Sequence, residues 1–115
     1  MANSFKSALV PASAITSTST KTTVYTAGSG LQSATLIGLS IANVVGGTTT
    51  TNVDVYITLS SFDHALIKGA PVPPGGTLVV IGGDQKVVMQ PNDILKVLPS
   101  VGSSIDVIAS YLEIS

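Results

Sequence analysis

Few side chains in this sequence could do chemistry, and the first group to consider surrounds its single histidine. His64 follows Asp63, and Ser60 and Ser61 lie just before them, so an acid, a base and a hydroxyl nucleophile stand close together along the chain. All four residues fall in a segment that we predict to be a turn, where Asp and Ser side chains usually hydrogen-bond to the local backbone. We therefore interpret this segment as a turn and expect no catalysis from it.

The acidic residues provide no second candidate for catalysis or metal binding. Paired carboxylates for glycoside hydrolysis must face one cleft, and a calcium loop supplies several oxygen ligands from closely spaced positions. The acids are spread over predicted turns and outward strand positions, and nothing groups them: Asp54, Asp63, Asp84, Asp93, Asp106 and Glu113. With one His and no Cys, the chain also lacks a pair of nitrogen or sulfur ligands. We expect no enzyme activity, no metal and no cofactor.

The basic residues argue against nucleic acid as a partner, because binding to phosphates requires clustered positive charge. The chain has no Arg, and its lysines are scattered along the sequence: Lys6, Lys21, Lys68, Lys86 and Lys96. No apolar run approaches ~18 residues, so we expect no membrane-spanning segment. Hydroxyl residues and Pro11 interrupt the N-terminal segment too often for a signal peptide.

Composition indicates a domain whose surface is covered by hydroxyl groups rather than by charge. Hydrophobic residues make up 44% of the 115 residues and charged residues 10%, against roughly 25% charged in an ordinary soluble domain. The formal net charge is −1, so long-range repulsion between copies is weak. Weakly charged chains rich in apolar residues tend to associate. We therefore expect part of the surface to be covered by a partner.

The alternation of apolar runs with turn residues predicts one all-β domain. We expect a single antiparallel β-sandwich, jelly-roll or Ig-like, with about eight strands and negligible helix. The clearest strand is 52–59, in which Val53, Val55, Ile57 and Leu59 alternate with polar residues. The sequence GGDQ at 82–85 indicates a hairpin loop. The predicted strands are 22–26, 33–43, 52–59, 65–70, 77–81, 86–90, 94–98 and 105–114.

Residues 1–21 stand apart from this pattern because Ser, Thr and Ala dominate them. We interpret 1–21 as an extended N-terminal arm and 22–115 as the β-sandwich domain. Two interpretations of the arm remain open: a floppy terminus, or a segment that lies along a partner. In the second case its large apolar side chains, Phe5, Leu9 and Val10, are the candidate contacts.

The closing strand, 105–114, is apolar on both faces. Such a strand is either central within the domain or buried against a neighbouring subunit. An apolar strand face where a solvent-exposed polar face is expected favours oligomerisation. We select the face formed by Val107, Ala109 and Tyr111 as the candidate contact between copies.

Two segments of the sequence carry a resemblance to a known group of proteins. LIKGAPVPPGGTLVVIGGDQKVVMQPNDILKVLPS, at 66–100, and IDVIASYLEI, at 105–114, resemble small β-sandwich virion proteins of tailed bacteriophages, particularly cyanophages and marine phages. The resemblance covers roughly residues 25–114 and leaves out the Ser/Thr-rich start. Its motifs are turn and core patterns, so they specify a fold family more closely than a role.

The resemblance implies a structural component of a phage particle. Such proteins often decorate or cement a capsid, bound as trimers to the major capsid protein where capsomers meet. This chain would then be made in the host cytoplasm and carried on the virion surface. Two alternatives stay open: a neck, adaptor or tail-associated protein, or a sugar-binding sandwich for host attachment. The sugar alternative requires exposed Tyr25, Tyr56 or Tyr111, which we expect instead to be half-buried.

Overall fold

The computed structural model of the chain confirms the all-β sandwich and describes residues 3–45, 47–59, 61–82 and 86–115. Within those ranges the only helix is a single 3₁₀ turn, Ala12–Ala14. The strands are β1 (Asn3–Val10), β2 (Thr22–Thr26), β3 (Ser33–Asn43), β4 (Thr51–Leu59), β5 (Phe62–Val72), β6 (Thr77–Ile81), β7 (Val87–Met89), β8 (Ile94–Pro99) and β9 (Ile105–Ile114).

The strands form two antiparallel sheets in a nested order. Sheet A runs β1-β9-β3-β6, with β7 also paired to β3, and sheet B runs β2-β8-β4-β5. The first strand pairs with the last, the second with the next to last, and so on inward to the hairpin of β4 and β5. A chain that folds back on itself in this nested way and wraps into two sheets is a jelly roll.

β6 and β7 are successive pieces of one edge strand, which corrects the predicted hairpin between them. β6 pairs with β3 at 39–42, and β7 pairs with β3 at 34–36. β6 and β7 therefore lie along the same edge of β3 and run in the same direction. Of the predicted loop at 82–85, only Gly82 belongs to the described residues. Glycine clusters mark an interruption of a strand, but they do not distinguish a reversal from a detour along one edge.

The core lies between the sheets and takes alternate residues from every long strand. In β4 the predicted alternation holds: Val53 and Val55 are fully buried, and Ile57 packs against the core. Leu59 is exposed because it lies at the tip of the β4–β5 hairpin. Phe62, Asp63 and His64 belong to β5, which corrects the turn predicted there.

The predicted boundary at residue 21 does not coincide with an edge of the sandwich. Residues 3–10 are extended as expected, but as β1 they pair with the chain's own β9 along their whole length. The following segment is fixed to the domain because Ile15 is fully buried in the core. Its carbonyl also accepts a 2.8 Å hydrogen bond from the amide of Ser103. The apolar side chain of Ile15 anchors this segment to the domain, which the Ser-, Thr- and Ala-rich composition of the segment did not indicate.

Candidate functional site

The structure separates the residues that might have formed a catalytic group around His64. Asp63 and His64 are neighbours in β5, so their side chains point to opposite faces of sheet B. Asp63 is engaged on the outer face, where it accepts a hydrogen bond from the Thr58 hydroxyl and pairs with Lys21 at 3.1 Å. Ser60 lies outside the described residues. The described part of this segment therefore does not place the Asp63 carboxylate and the His64 imidazole on the same face of the sheet.

A cluster of charged residues covers the outer face of sheet B, and sequence reasoning missed it. At its centre is Tyr56, with the Lys21 ammonium 4.7 Å and the Lys68 ammonium 5.5 Å from the ring centroid. Lys68 also donates to the Tyr56 hydroxyl at 2.9 Å and lies 3.2 Å from Asp54. The sequence did carry a signal for this cluster: pairing the predicted strands 52–59 and 65–70 as a hairpin places Asp54, Tyr56 and Lys68 side by side.

The carboxylates of this cluster are held in their ionised form. Burial raises the pKa of Asp54, but hydrogen bonds from the Gly69 amide, Tyr56 and Lys68 outweigh it, so the pKa lies below its ordinary value. The Thr58 hydrogen bond and Lys21 lower the pKa of Asp63 in the same way. A general base works best with a pKa near the operating pH. These carboxylates are therefore suited to ion pairing rather than to proton transfer.

A shallow groove of about 580 Å³ lies beside the cluster. Asp63, Asn92, Asp93 and Lys96 supply its charged and amide groups, and Leu59, Pro91 and Ile94 are among its other lining residues. Its lining contains no aromatic ring that could stack on a sugar. Among the described residues, no three His, Cys, Asp or Glu side chains come close enough to hold a metal ion.

The tyrosines are not exposed platforms either. Tyr25, Tyr56 and Tyr111 are each 8% exposed, so their rings are covered on both sides. Tyr25 and Tyr111 stack on each other, with ring centroids 3.9 Å apart. The exposed tyrosines that the sugar-binding alternative requires are therefore absent from this fold.

The outer face of sheet A carries five of the eight large exposed hydrophobic side chains of the described residues, Phe5, Leu9, Val79, Val88 and Ile108. Two rows of side chains cross four strands there, because residues paired in register lie side by side on one face. One row is Phe5, Leu112, Thr35 and Val88, and the other is Leu9, Ile108, Ser40 and Val79. Between them lies a row of small residues, Ser7, Ser110 and Gly38. We call this surface the apolar face.

The apolar face is almost free of charge. Among the outward positions of its described strands the charged residue is Asp106, at one end, where its carboxylate accepts a 2.7 Å hydrogen bond from the Ala12 amide. Phe5 is 76% exposed, Leu9 66% and Val79 65%. Contiguous exposed apolar surface of a few hundred Å² commonly marks an interaction site. This face is therefore our candidate functional site.

The predicted interaction residues divide between this face and the core. Phe5 and Leu9 lie on the apolar face, whereas Val10 turns inward and packs against the core. Val107, Ala109 and Tyr111 are buried between the sheets, which corrects their assignment as a contact surface. The outward face of β9 is the opposite one, formed around Ile108 and Leu112. Both faces of β9 are apolar in sequence, so the choice depended on which one the second sheet covers.

The comparisons with known proteins do not identify this chain. No family model and no curated protein matches its sequence. Among the residues that the structure describes, no helix is long and apolar enough to cross a membrane.

Proposed function

We propose that this chain is a non-enzymatic structural protein of a tailed-bacteriophage particle, which decorates or cements the capsid by docking on the major capsid protein. The observation that carries the proposal is the nearly uncharged apolar face of sheet A. The resemblance of 66–100 and 105–114 to small virion proteins is the reason for proposing a phage particle as its location. The jelly roll is also a common fold of viral capsid domains, which supports the proposal as an analogy of fold.

The size of the apolar face favours a component present in many copies. Four strands about 4.8 Å apart and some 20 Å of strand length give about 400 Å². A standard stable interface buries about 800 Å² on each partner. One such contact is therefore weak, and oligomers, such as trimers at capsomer junctions, gain affinity because several copies bind together.

The direct test is the position and copy number of the chain in an intact particle. Many copies on the capsid surface support the proposal, whereas a low copy number at the neck or tail would replace it with an adaptor role. For the surface itself, we expect Ile108→Asp to weaken co-sedimentation with capsids that lack this chain by about tenfold or more, because it buries an unpaired charge.

Thr23→Asp is the matched control, because Thr23 is an exposed residue of β2 on the other sheet, opposite Lys96. We expect this variant to bind capsids as the unmodified chain does. Equal binding by Ile108→Asp and Thr23→Asp would exclude the apolar face as the docking surface.

A further inference from the structure

We infer that β1 is an exchangeable strand that opens at Pro11 and pairs with β9 of a second copy of the same chain. The exchange concerns contacts between copies and does not depend on the capsid partner proposed above. It rests on three features of the structure: how weakly β1 is held, where the chain after it is fixed, and what β9 offers when β1 leaves.

β1 is held by its backbone pairing with β9 and by two small, partly buried side chains, Ala8 and Val10, that pack against the core. It is an edge strand whose one partner in sheet A is β9, and none of its eight residues is fully buried. Its two largest apolar side chains, Phe5 and Leu9, face solvent. Lys6 pairs with Glu113 at 2.8 Å, but the Lys6 side chain is 54% exposed, and an ion pair that solvent reaches contributes only about 0–1 kcal/mol. Segments with few buried contacts open at the low end of the stability range.

The opening has a defined limit at Pro11. Immediately after it, the Ala12 amide donates to Asp106 at 2.7 Å, and Ile15 is fully buried in the core. Pro11 itself lacks an N–H and interrupts the ladder of hydrogen bonds. Residues 3–10 can therefore leave β9 while the following segment stays in place.

The uncovered edge of β9 selects another β1 as its partner. β9 contains neither Pro nor Lys, the residues that commonly protect an exposed strand edge from pairing. Glu113 is left without its Lys6 partner, and a second β1 supplies Lys6 in the same register, with Ala8 again opposite Ala109. The sheet remains intact meanwhile because β9 keeps its pairing with β3.

The closed and exchanged states contain the same β1–β9 contacts. Their free energies therefore differ only at the Pro11 hinge and in whatever new contacts form between copies. By mass action, the fraction of chains in the exchanged state therefore depends on protein concentration. Copies arrayed side by side experience effective concentrations of about millimolar, which favours exchange over the closed form.

Engineered disulfides test the exchange cleanly because the chain contains no Cys. Ser7 lies directly opposite Ser110 in the β1–β9 register. Directly opposed residues of antiparallel strands have Cα atoms about 4.5–5.5 Å apart, within the range that a disulfide spans. We would mix a Ser7→Cys variant with a size-tagged Ser110→Cys variant at high concentration, oxidise the mixture mildly and separate the products without reductant.

Exchange predicts a mixed disulfide between the two variants in roughly 100-fold excess over the disulfide formed by Ser7→Cys alone, because strand pairing holds the mixed thiols together whereas two Ser7→Cys chains meet only by random collision. The double variant Ser7→Cys/Ser110→Cys should likewise give covalent dimers or larger species. The control is Ser40→Cys/Ile108→Cys, a pair between β3 and β9, which should close within one chain.

Exclusive closure of Ser7→Cys/Ser110→Cys within one chain, with no excess of the mixed disulfide, would overturn the inference. Thermal unfolding of each single variant checks that it folds. The experiment contains no capsid, so its outcome and that of the docking test are independent.

Discussion

The hydroxyl of Tyr25 donates a 2.6 Å hydrogen bond to Glu113 and joins the two sheets at one edge of the sandwich. Tyr25 belongs to β2 of sheet B, and Glu113 belongs to β9 of sheet A. Lys6, in β1, pairs with the same carboxylate at 2.8 Å, and Tyr111 stacks against the Tyr25 ring. A single carboxylate therefore ties three strands from both sheets.

We expect Tyr25→Phe to lower the free energy of unfolding by about 1–3 kcal/mol, because it removes a hydrogen bond to a charged acceptor. Urea denaturation measures the loss. Tyr111→Phe is the matched control, since the Tyr111 hydroxyl makes no hydrogen bond to a described residue although its ring belongs to the same stack. Equal losses in the two variants would show that ring packing, rather than the bond between the sheets, holds this edge.

The same carboxylate predicts how stability changes in acid. Hydrogen bonds from Lys6 and then Tyr25 lower the pKa of Glu113 below its ordinary 4.5, so the unfolded chain takes up a proton before the folded one does. The stabilisation is therefore complete above about pH 4.5 and is lost as the pH falls through the lower, folded pKa. Asp54 and Asp63, whose pKa values are also lowered, add to this acid sensitivity.

We accordingly expect Glu113→Gln to be less stable than the unmodified chain near pH 7 and the two to converge as the pH approaches 3. Urea midpoints measured across this range follow the convergence. A stability difference that stays constant with pH would mean that the ionised form of Glu113 is not what stabilises the fold.

The N-terminal 21 residues contain two positions whose substitution should have opposite consequences. Ile15→Ala removes a fully buried side chain and should cost about 2–5 kcal/mol. Phe5→Ala removes an exposed one and should cost less than about 0.5 kcal/mol. Urea denaturation of both variants tests whether the segment is divided at Pro11. Similar values would restore the interpretation of 1–21 as one uniform arm.

Much of the fold could be predicted from the sequence because local signals agree with it. The predicted strands 22–26, 33–43, 77–81 and 105–114 coincide with β2, β3, β6 and β9, since Gly, Pro and Asn bound runs of alternating apolar residues. β1 escaped prediction because Ser residues interrupt its apolar positions. Its pairing with β9 depends on a contact between the two ends of the chain, about which local composition carries no information.

The candidate site was harder to predict because it depends on which face of a strand is covered. β9 is apolar on both sides, and the sequence does not say whether Val107 or Ile108 faces the second sheet. The cluster around Tyr56 was missed for a related reason. Lys21 precedes β2 and Asp63 lies in β5, the two edge strands of sheet B, and they meet because the Lys21 side chain reaches across the outer face of the sheet.

Gly102 provides a test of how tightly the segment after Pro11 is fixed. A Cβ atom at Gly102 would stand 2.5 Å from the carbonyl oxygen of Thr16, so the backbone must shift to accept one. We expect Gly102→Ala to cost about 1–3 kcal/mol, as overpacking does. The control is Gly30→Ala, where a Cβ meets nothing within 4 Å. Equal thermal midpoints for the two variants would mean that the 11–21 segment moves freely against the domain.

The orientation of β9 can be tested with one charge placed at either of two adjacent residues. Val107 is buried between the sheets, and Ile108 is 49% exposed on the apolar face. Val107→Asp places an unpaired carboxylate in the core, which costs several kcal/mol and should abolish cooperative unfolding. Ile108→Asp leaves its carboxylate in water and should change the free energy of unfolding by less than about 1 kcal/mol.

Circular dichroism during heating distinguishes the two β9 variants. If Val107→Asp stayed folded and Ile108→Asp unfolded, the orientation of β9 would be the reverse: Val107 would face solvent, and the side chains of the apolar face would belong to the core. The expected result leaves Ile108→Asp folded, and only a folded variant lets its loss of capsid binding be attributed to the surface rather than to the loss of the sandwich.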